Sequence, residues 1–267
     1  MPKPFLKWAG GKTRLCAKIN SILPTGNRLI EPFVGAGSVF LNTNYPEYLL
    51  SDVNQDLINI YRILQADGLD FIRYAEQFFT PENNTQDAYI ENRAVFNSTT
   101  DTKLKSALFI YLNKHCFNGL CRYNSKGGFN VPYGKYVSPV FPEEALISFC
   151  EKSKMAEFQI ADFKTTMSSA KRGDVVYCDP PYVPLTETAN FTNYSSGGFN
   201  KKDQEDLANM AMILRDKGIP VLISNHDTEW VRDLYASAEI IEFQVTRSIA
   251  AKKEKRGKAN EIMAFFN

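Results

Sequence analysis

Arg28-Leu29-Ile30-Glu31-Pro32-Phe33-Val34-Gly35-Ala36-Gly37 is the stretch that decides the fold. A short apolar run ends in a glycine turn, and the apolar segment 38–41 that follows opens a helix. A second short strand, Tyr48-Leu49-Leu50, closes in Ser51-Asp52-Val53-Asn54. Strand, turn, helix and strand in that order make the first half of a βαβ unit. The alternation returns near the end of the chain. Asp174-Val175-Val176-Tyr177-Cys178-Asp179 reads as a buried strand running into Pro180-Pro181-Tyr182. A helix over 202–217 carries an apolar stripe at Leu207, Met210, Ala211 and Leu214, and Gly218 closes it before a strand at 219–224. Segments 240–250 and 261–266 read as two antiparallel strands. The whole is an α/β protein, a doubly wound Rossmann-like sheet with an insert after its second strand.

The insert, about 55–142, has another character. It starts as a helix with Leu57, Ile58, Ile60, Tyr61 and Leu64 on one face, and a second helix is expected over 103–113. Residues 118–135 then mix Gly, Asn, aromatics and base, with Ser125-Lys126-Gly127-Gly128 as a hairpin tip. Between Arg93 and Tyr136 stand seven Lys or Arg against the single acid Asp101, so a basic face lies here although the net charge of the chain is only +1. The Lys-rich loop 251–260 reads as a solvated charged loop.

At 267 residues and 44% apolar, the chain is long enough for a core with an inserted subdomain and too apolar for disorder. No stretch approaches the roughly 18 apolar residues of a membrane span. The first residues lack the apolar region of a signal peptide. Five scattered cysteines and two histidines form no CxxC pair or ligand cluster. A cytosolic, reduced, metal-free protein is expected.

Three segments carry chemistry. At 33–37, glycines let a ligand approach the backbone beside a helix N-terminus. A dinucleotide fingerprint needs a third glycine at position 40, where Phe40 stands. A nucleoside without pyrophosphate fits better, S-adenosylmethionine for example, with Asp52 accepting from ribose hydroxyls and Glu31 near the methionine ammonium. The plainer reading, a corner with a solvated Asp, has comparable weight on these residues alone. Trp8-Ala9-Gly10-Gly11-Lys12-Thr13 is no phosphate loop, because Leu6 replaces the required glycine. Lys12 suits a carboxylate and Trp8 an apolar ligand face; a solvated Lys at a helix start is the alternative. In Asp179-Pro180-Pro181-Tyr182, two prolines remove two backbone donors. Carbonyls and a carboxylate remain as acceptors beside an aromatic face, a set that suits an NH2 group in the plane of a ring. Cys178 reads as a packed core thiol.

Taken together, these segments resemble the Dam-type DNA adenine-N6 methyltransferases that act on GATC. The resemblance runs through Phe5-Leu6-Lys7-Trp8-Ala9-Gly10-Gly11-Lys12, residues 31–42, 118–124, 129–132 and 176–182, and Leu222-Ile223-Ser224-Asn225-His226-Asp227-Thr228, in the family's order. It implies S-adenosylmethionine as cofactor, with S-adenosylhomocysteine as product, bound by Trp8, Lys12, Glu31, Phe33, Gly35, Gly37, Asp52, Asp162, Phe163 and Asp179. It implies a catalytic set of Asp179, Pro180, Pro181 and Tyr182, with Tyr182 stacking on a flipped base. It implies DNA contacts from Lys7, Asn118, Leu120, Arg122, Asn124 and Pro132, insertion of Phe117 into the base stack, and a phosphate contact from Arg93. Lys114 and Lys135 stand where the best-known members have Arg, and an ammonium cannot make the same bidentate fork. The expected division is a catalytic domain of 1–54 and 143–267 around a target-recognition domain of 55–142. The expected partner is double-stranded DNA containing GATC, met by a monomer with no membrane and no metal. A related enzyme acting on cytosine N4, RNA or a protein glutamine, and a catalytically silent DNA-binding regulator, are the alternatives.

Overall fold

The structure, a computed structural model, describes residues 1–182, 198–246 and 258–267. Its packing forms two compact units, Met1–Ile22 with Val34–Ala161, and Leu23–Phe33 with Asp162–Asn267.

The first unit holds α1 (Cys16–Ile22), α2 (Ser38–Asn42), β2 (Glu47–Asp52), α3 (Gln55–Glu76), α4 (Gln86–Ser98), α5 (Thr102–His115), α6 (Glu143–Ser153) and β3 (Ala156–Ile160). β2 and β3 pair in parallel, with Leu50 opposite Phe158 and Asp52 opposite Ile160. The periodic face expected at the start of α3 is the one it buries, from Leu57 to Leu64. Asn54 caps this helix, its side chain accepting from the Leu57 N–H at 3.1 Å. Gly68, at φ 53 and ψ −125, kinks it. α5 buries almost every residue from Ser106 to His115, as a helix at the centre of a unit must. Phe5, Phe40, Tyr48, Tyr61, Phe149 and Phe158 form a continuous aromatic cluster, mostly edge to face.

The second unit holds β1 (Arg28–Glu31), α7 (Phe163–Ser168), β4 (Asp174–Cys178), α8 (Lys201–Asp216), β5 (Val221–His226), α9 (Glu229–Leu234), β6 (Glu239–Thr246) and β7 (Lys258–Phe266). β4 pairs in parallel with β1 and with β5. Covered on both sides, all five of its residues are buried, which is why 175–178 reads as an apolar run behind Asp174. Arg28 faces Asp174 across the first pair and grips it at 2.7 Å, fixing the register. β7 runs antiparallel to both β5 and β6. In the first unit β3 lies beside β2, and in the second the strand order is β1-β4-β5-β7-β6. The sheet is the Rossmann-like one expected, mostly parallel with a reversed edge.

Some expectations need correction in detail. α8 starts at Lys201, and on its stripe Ala208 is buried where Met210 is only half-buried. The hairpin tip at 125–128 exists, but it joins isolated bridges, Tyr123 to Phe129 and Cys116 to Tyr133, not strands. The C-terminal antiparallel pair is present as β6 and β7, but β7 starts at Lys258, so 258–260 are strand and not loop; 247–250 and 251–257 of the expected strand and basic loop lie outside the described residues.

Candidate active site and nucleic-acid interface

In the first unit the loop after β2 meets the glycine turn. The Asp52 carboxylate accepts from the Gly35 N–H at 3.2 Å and from the Asn54 N–H at 2.9 Å, one through each oxygen. Burial pushes this carboxyl up, and the backbone N–H groups of Asn54, Gly35 and Val53 pull it back down. Each oxygen keeps lone-pair capacity for a hydroxyl donor. The Tyr61 hydroxyl donates to the Gly35 carbonyl and holds the turn from beneath. Gly37 caps α2, its N–H donating to the Val34 carbonyl at 2.8 Å. The Trp8 ring lies over the turn. A β-carbon on Gly35, whose φ is +46, would sit 2.9 Å from Trp8 Nε1. Lys12 is buried and donates to the Gly10 carbonyl at 2.9 Å; it is not a solvated helix-start lysine. Trp8, Gly35 and Asp52 are thus contiguous, with Lys12 on the strap that carries Trp8. An indole face, a glycine approach and a diol-accepting carboxylate fit a nucleoside.

In the second unit Glu31 is buried at the end of β1. The Phe33 ring stacks on Phe163 at 5.7 Å and 24°, and Phe199 sets its edge against both. This aromatic group suits a flat heterocycle. Asp162 caps α7, accepting from the Thr165 N–H at 2.7 Å, and that bond chiefly holds its carboxyl below the ordinary range. Residues 179–182 leave the carboxyl end of β4, where open parallel sheets place their ligands. Gln204 donates to the Pro181 carbonyl at 2.8 Å. Tyr182 packs edge-on to His226 at 4.8 Å and reaches Glu261 at 3.4 Å. Burial, then the Asp179 charge, holds its phenol neutral well above the ordinary range. Cys178 is fully buried, and burial pushes its thiol up, so it is the packed core thiol expected.

The expected DNA contacts all belong to the first unit. Asn113 is buried and clamps the strap: its Oδ1 accepts from the Lys7 N–H, and its Nδ2 donates to the carbonyls of Lys7 and Gly119. The Lys7 ammonium then lies 4.4 Å from the centre of the Tyr136 ring. Phe117 is 50% exposed, unusual for its size, and its N–H donates to the Pro132 carbonyl. Asn118 adopts φ 55, and its N–H donates to the Tyr136 hydroxyl. Leu120 is half-buried, and its N–H donates to the Phe117 carbonyl at 3.2 Å. Arg122 is exposed and braced by Asn130, with Nε donating to Oδ1 at 2.8 Å and Nη2 to the carbonyl at 3.1 Å. The Asn124 Oδ1 closes the tip by accepting from the N–H groups of Lys126 and Gly128. Arg93 donates to the Val131 carbonyl at 2.9 Å. Lys135, at φ 55, is exposed. Lys114 is half-buried; burial and then Lys7 push its ammonium down to about 8.

The chain matches the family described as D12 class N6 adenine-specific DNA methyltransferase over residues 8–249. It belongs to that family. It is 50% identical over 265 residues to the DNA adenine methylase of Serratia marcescens, covering 99% of this chain and 98% of that protein. The DNA adenine methylase of Vibrio cholerae is 48% identical, with 99% and 96% covered. That of Escherichia coli K12 is 46% identical over 264 residues, with 99% and 95% covered. The chain is therefore an adenine-specific DNA methyltransferase. No group of three or more His, Cys, Asp or Glu suited to a metal stands among the described residues, and no helix there is long and apolar enough to cross a membrane.

Sequence reading missed several residues of this methyltransferase. Asn113 and Gln204 are polar side chains on buried helix faces, where periodicity marks only apolar positions. Asn225 is buried at the end of β5 within a motif quoted only for its resemblance. Phe199 completes the aromatic group from a loop. The one available signal was a polar residue standing on an otherwise apolar stripe.

Proposed function

We propose that the enzyme transfers a methyl group from S-adenosylmethionine to N6 of adenine in GATC, within double-stranded DNA and after flipping the base. The observation that carries this reading is the acceptor turn at 179–182: a carboxylate and proline carbonyls at the ligand end of a buried parallel strand, with a neutral tyrosine ring beside them. Extrusion is required because N6 inside the duplex is out of reach of such a turn.

The cofactor, when bound, supplies a methyl group made electrophilic by its sulfonium sulfur. Trp8, Lys12, Gly35, Gly37 and Asp52, with Glu31, Phe33, Asp162, Phe163 and Asp179, hold it. The Asp179 carboxylate and the Pro180 carbonyl accept hydrogen bonds from the two N–H groups of the adenine amine. They draw its lone pair out of the ring and stabilise the positive charge that grows on nitrogen. As the N–CH3 bond forms and the methyl–sulfur bond breaks, one of the two amine protons is released through Asp179 to solvent and the other stays on N6. Tyr182 stacks on the extruded ring, and its neutral phenol brings no repelling charge. Orientation supplies much of the acceleration, and no covalent enzyme intermediate is needed.

Residues 55–142 act as the target-recognition domain, and 1–54 with 143–267 as the catalytic domain, in a monomer. Lys7, Asn118, Leu120, Arg122, Asn124 and Pro132 read the site. Phe117, already half out of the protein, enters the base stack. Arg93, Lys114 and Lys135 meet phosphates. Asp179→Ala is expected to abolish methyl transfer while non-specific DNA binding, measured by fluorescence anisotropy, stays intact. Turnover near the wild-type rate would remove Asp179 from the mechanism.

A further inference from the structure

Behind the acceptor turn, within the second unit, lies a relay of buried amides that the mechanism above does not use. Gln204 is 3% exposed on the inner face of α8, among Leu207, Ala208 and Ala211. An apolar residue would fill this place at less cost, since a buried amide must recover the hydrogen bonds it loses to water. Its Nε2 donates to the Pro181 carbonyl at 2.8 Å, and its Oε1 accepts from Asn225 Nδ2 at 3.1 Å. A carbonyl can only accept, so the amide orientation is set by its partners. Asn225 is fixed in turn. Its Nδ2 also lies 3.2 Å from the buried Tyr235 hydroxyl, and its Oδ1 accepts from the His226 N–H at 2.9 Å. The same His226 packs its ring against Tyr182.

We infer that Gln204, oriented by Asn225, is a positioning residue for methyl transfer: it ties down the Pro181 carbonyl and thereby sets the peptide that carries Tyr182. The turn has three successive carbonyls and no N–H on its two prolines, so nothing within 180–181 can satisfy the last carbonyl. With that carbonyl bonded to Gln204, the substrate amine is assigned to Asp179 and Pro180. The Pro181–Tyr182 peptide plane is fixed at the same time, and with it the direction from which the tyrosine ring meets the base. α8 and β5 thus brace the turn from behind. This rests on the reading that 179–182 holds the extruded adenine.

The test compares wild type with Gln204→Met, which keeps the length of the side chain and removes both hydrogen bonds. Single-turnover methyl transfer is followed at saturating S-adenosylmethionine and GATC duplex. A fall of roughly ten- to hundredfold in the rate constant is expected, the size of effect that small misplacements cause. Dissociation constants for S-adenosylhomocysteine and DNA should stay within about twofold, which places the loss in the chemical step. A duplex with 2-aminopurine in place of the target adenine should change its emission in the variant, because the stacking ring has moved. Asn225→Ser, which shortens the holding side chain, should slow transfer in the same direction and serves if Gln204→Met does not fold. Transfer at the wild-type rate by a folded variant, with unchanged 2-aminopurine emission, would overturn the inference alone. Failure of the wild type to methylate adenine would overturn the underlying reading and this inference together.

Discussion

A β-carbon at Gly35 would meet the Trp8 indole 2.9 Å away, at a φ of +46 that side chains rarely adopt. Gly35→Ala should therefore displace Trp8 and weaken S-adenosylhomocysteine binding at least about tenfold by calorimetry, equal to about 1.4 kcal/mol. Unchanged affinity would show that the Trp8 face is not the cofactor's. Lys114 makes a different prediction, in pH. Its ammonium, pushed down to about 8 by burial and Lys7, loses its proton as pH rises through that value. In the unfolded chain it stays charged up to about 10.4. Between those values the unfolded chain binds more protons, so this group's contribution to stability rises with pH, while its attraction for phosphate fades. DNA affinity should accordingly fall from about pH 7 to about pH 9, and Lys114→Arg, which keeps its charge, should flatten that fall. A slope identical in both proteins would remove Lys114 from the phosphate contacts. At this scale the sequence showed Trp8, Lys12, Asp52 and the acceptor turn, because special residue types mark them. It did not show Gln204, Asn225 or Asn113. Their roles arise from what they face, and one-dimensional spacing carries nothing of that.

Elements follow the same logic. β4 and β5 were legible because strands covered on both faces carry short apolar runs, Val175–Cys178 and Val221–Ile223. β3 was not: only Phe158 of its five residues is buried, and the pattern of an edge strand blends with the chain around it. α4 offers only Tyr89 and Phe96 to the core, too sparse a stripe to read as a helix. α3 was visible from its first three turns, whereas its kink was not. Gly68 there has φ 53 and ψ −125, and the nearest atom to an added β-carbon is Cys150 Sγ at 3.6 Å, an ordinary contact. The cost of Gly68→Ala is then backbone strain alone, about 1–3 kcal/mol. Urea unfolding should show it as a lowered midpoint with an unchanged slope. A midpoint equal to wild type would mean that the helix straightens without penalty.

For the whole molecule, strand–helix alternation around a basic, aromatic insert was enough to assign the doubly wound sheet. It was not enough to draw the packing of the chain. The compact units group Val34–Ala161 together with Met1–Ile22, and Leu23–Phe33 with Asp162–Asn267, because β2 pairs with β3 and β1 pairs with β4. Such long-range pairings leave no local trace in composition. Activity on adenine in DNA belongs to the family. The proposals of GATC as target and S-adenosylmethionine as methyl donor rest on the individual side chains discussed above. Both are tested at once by incubating the purified protein and S-adenosylmethionine with two duplexes, one holding a single GATC and the other a scrambled site, and identifying the methylated base. The account predicts N6-methyladenine in the GATC duplex and none in the other. Equal methylation of both, or a methyl group on any other base, would contradict it.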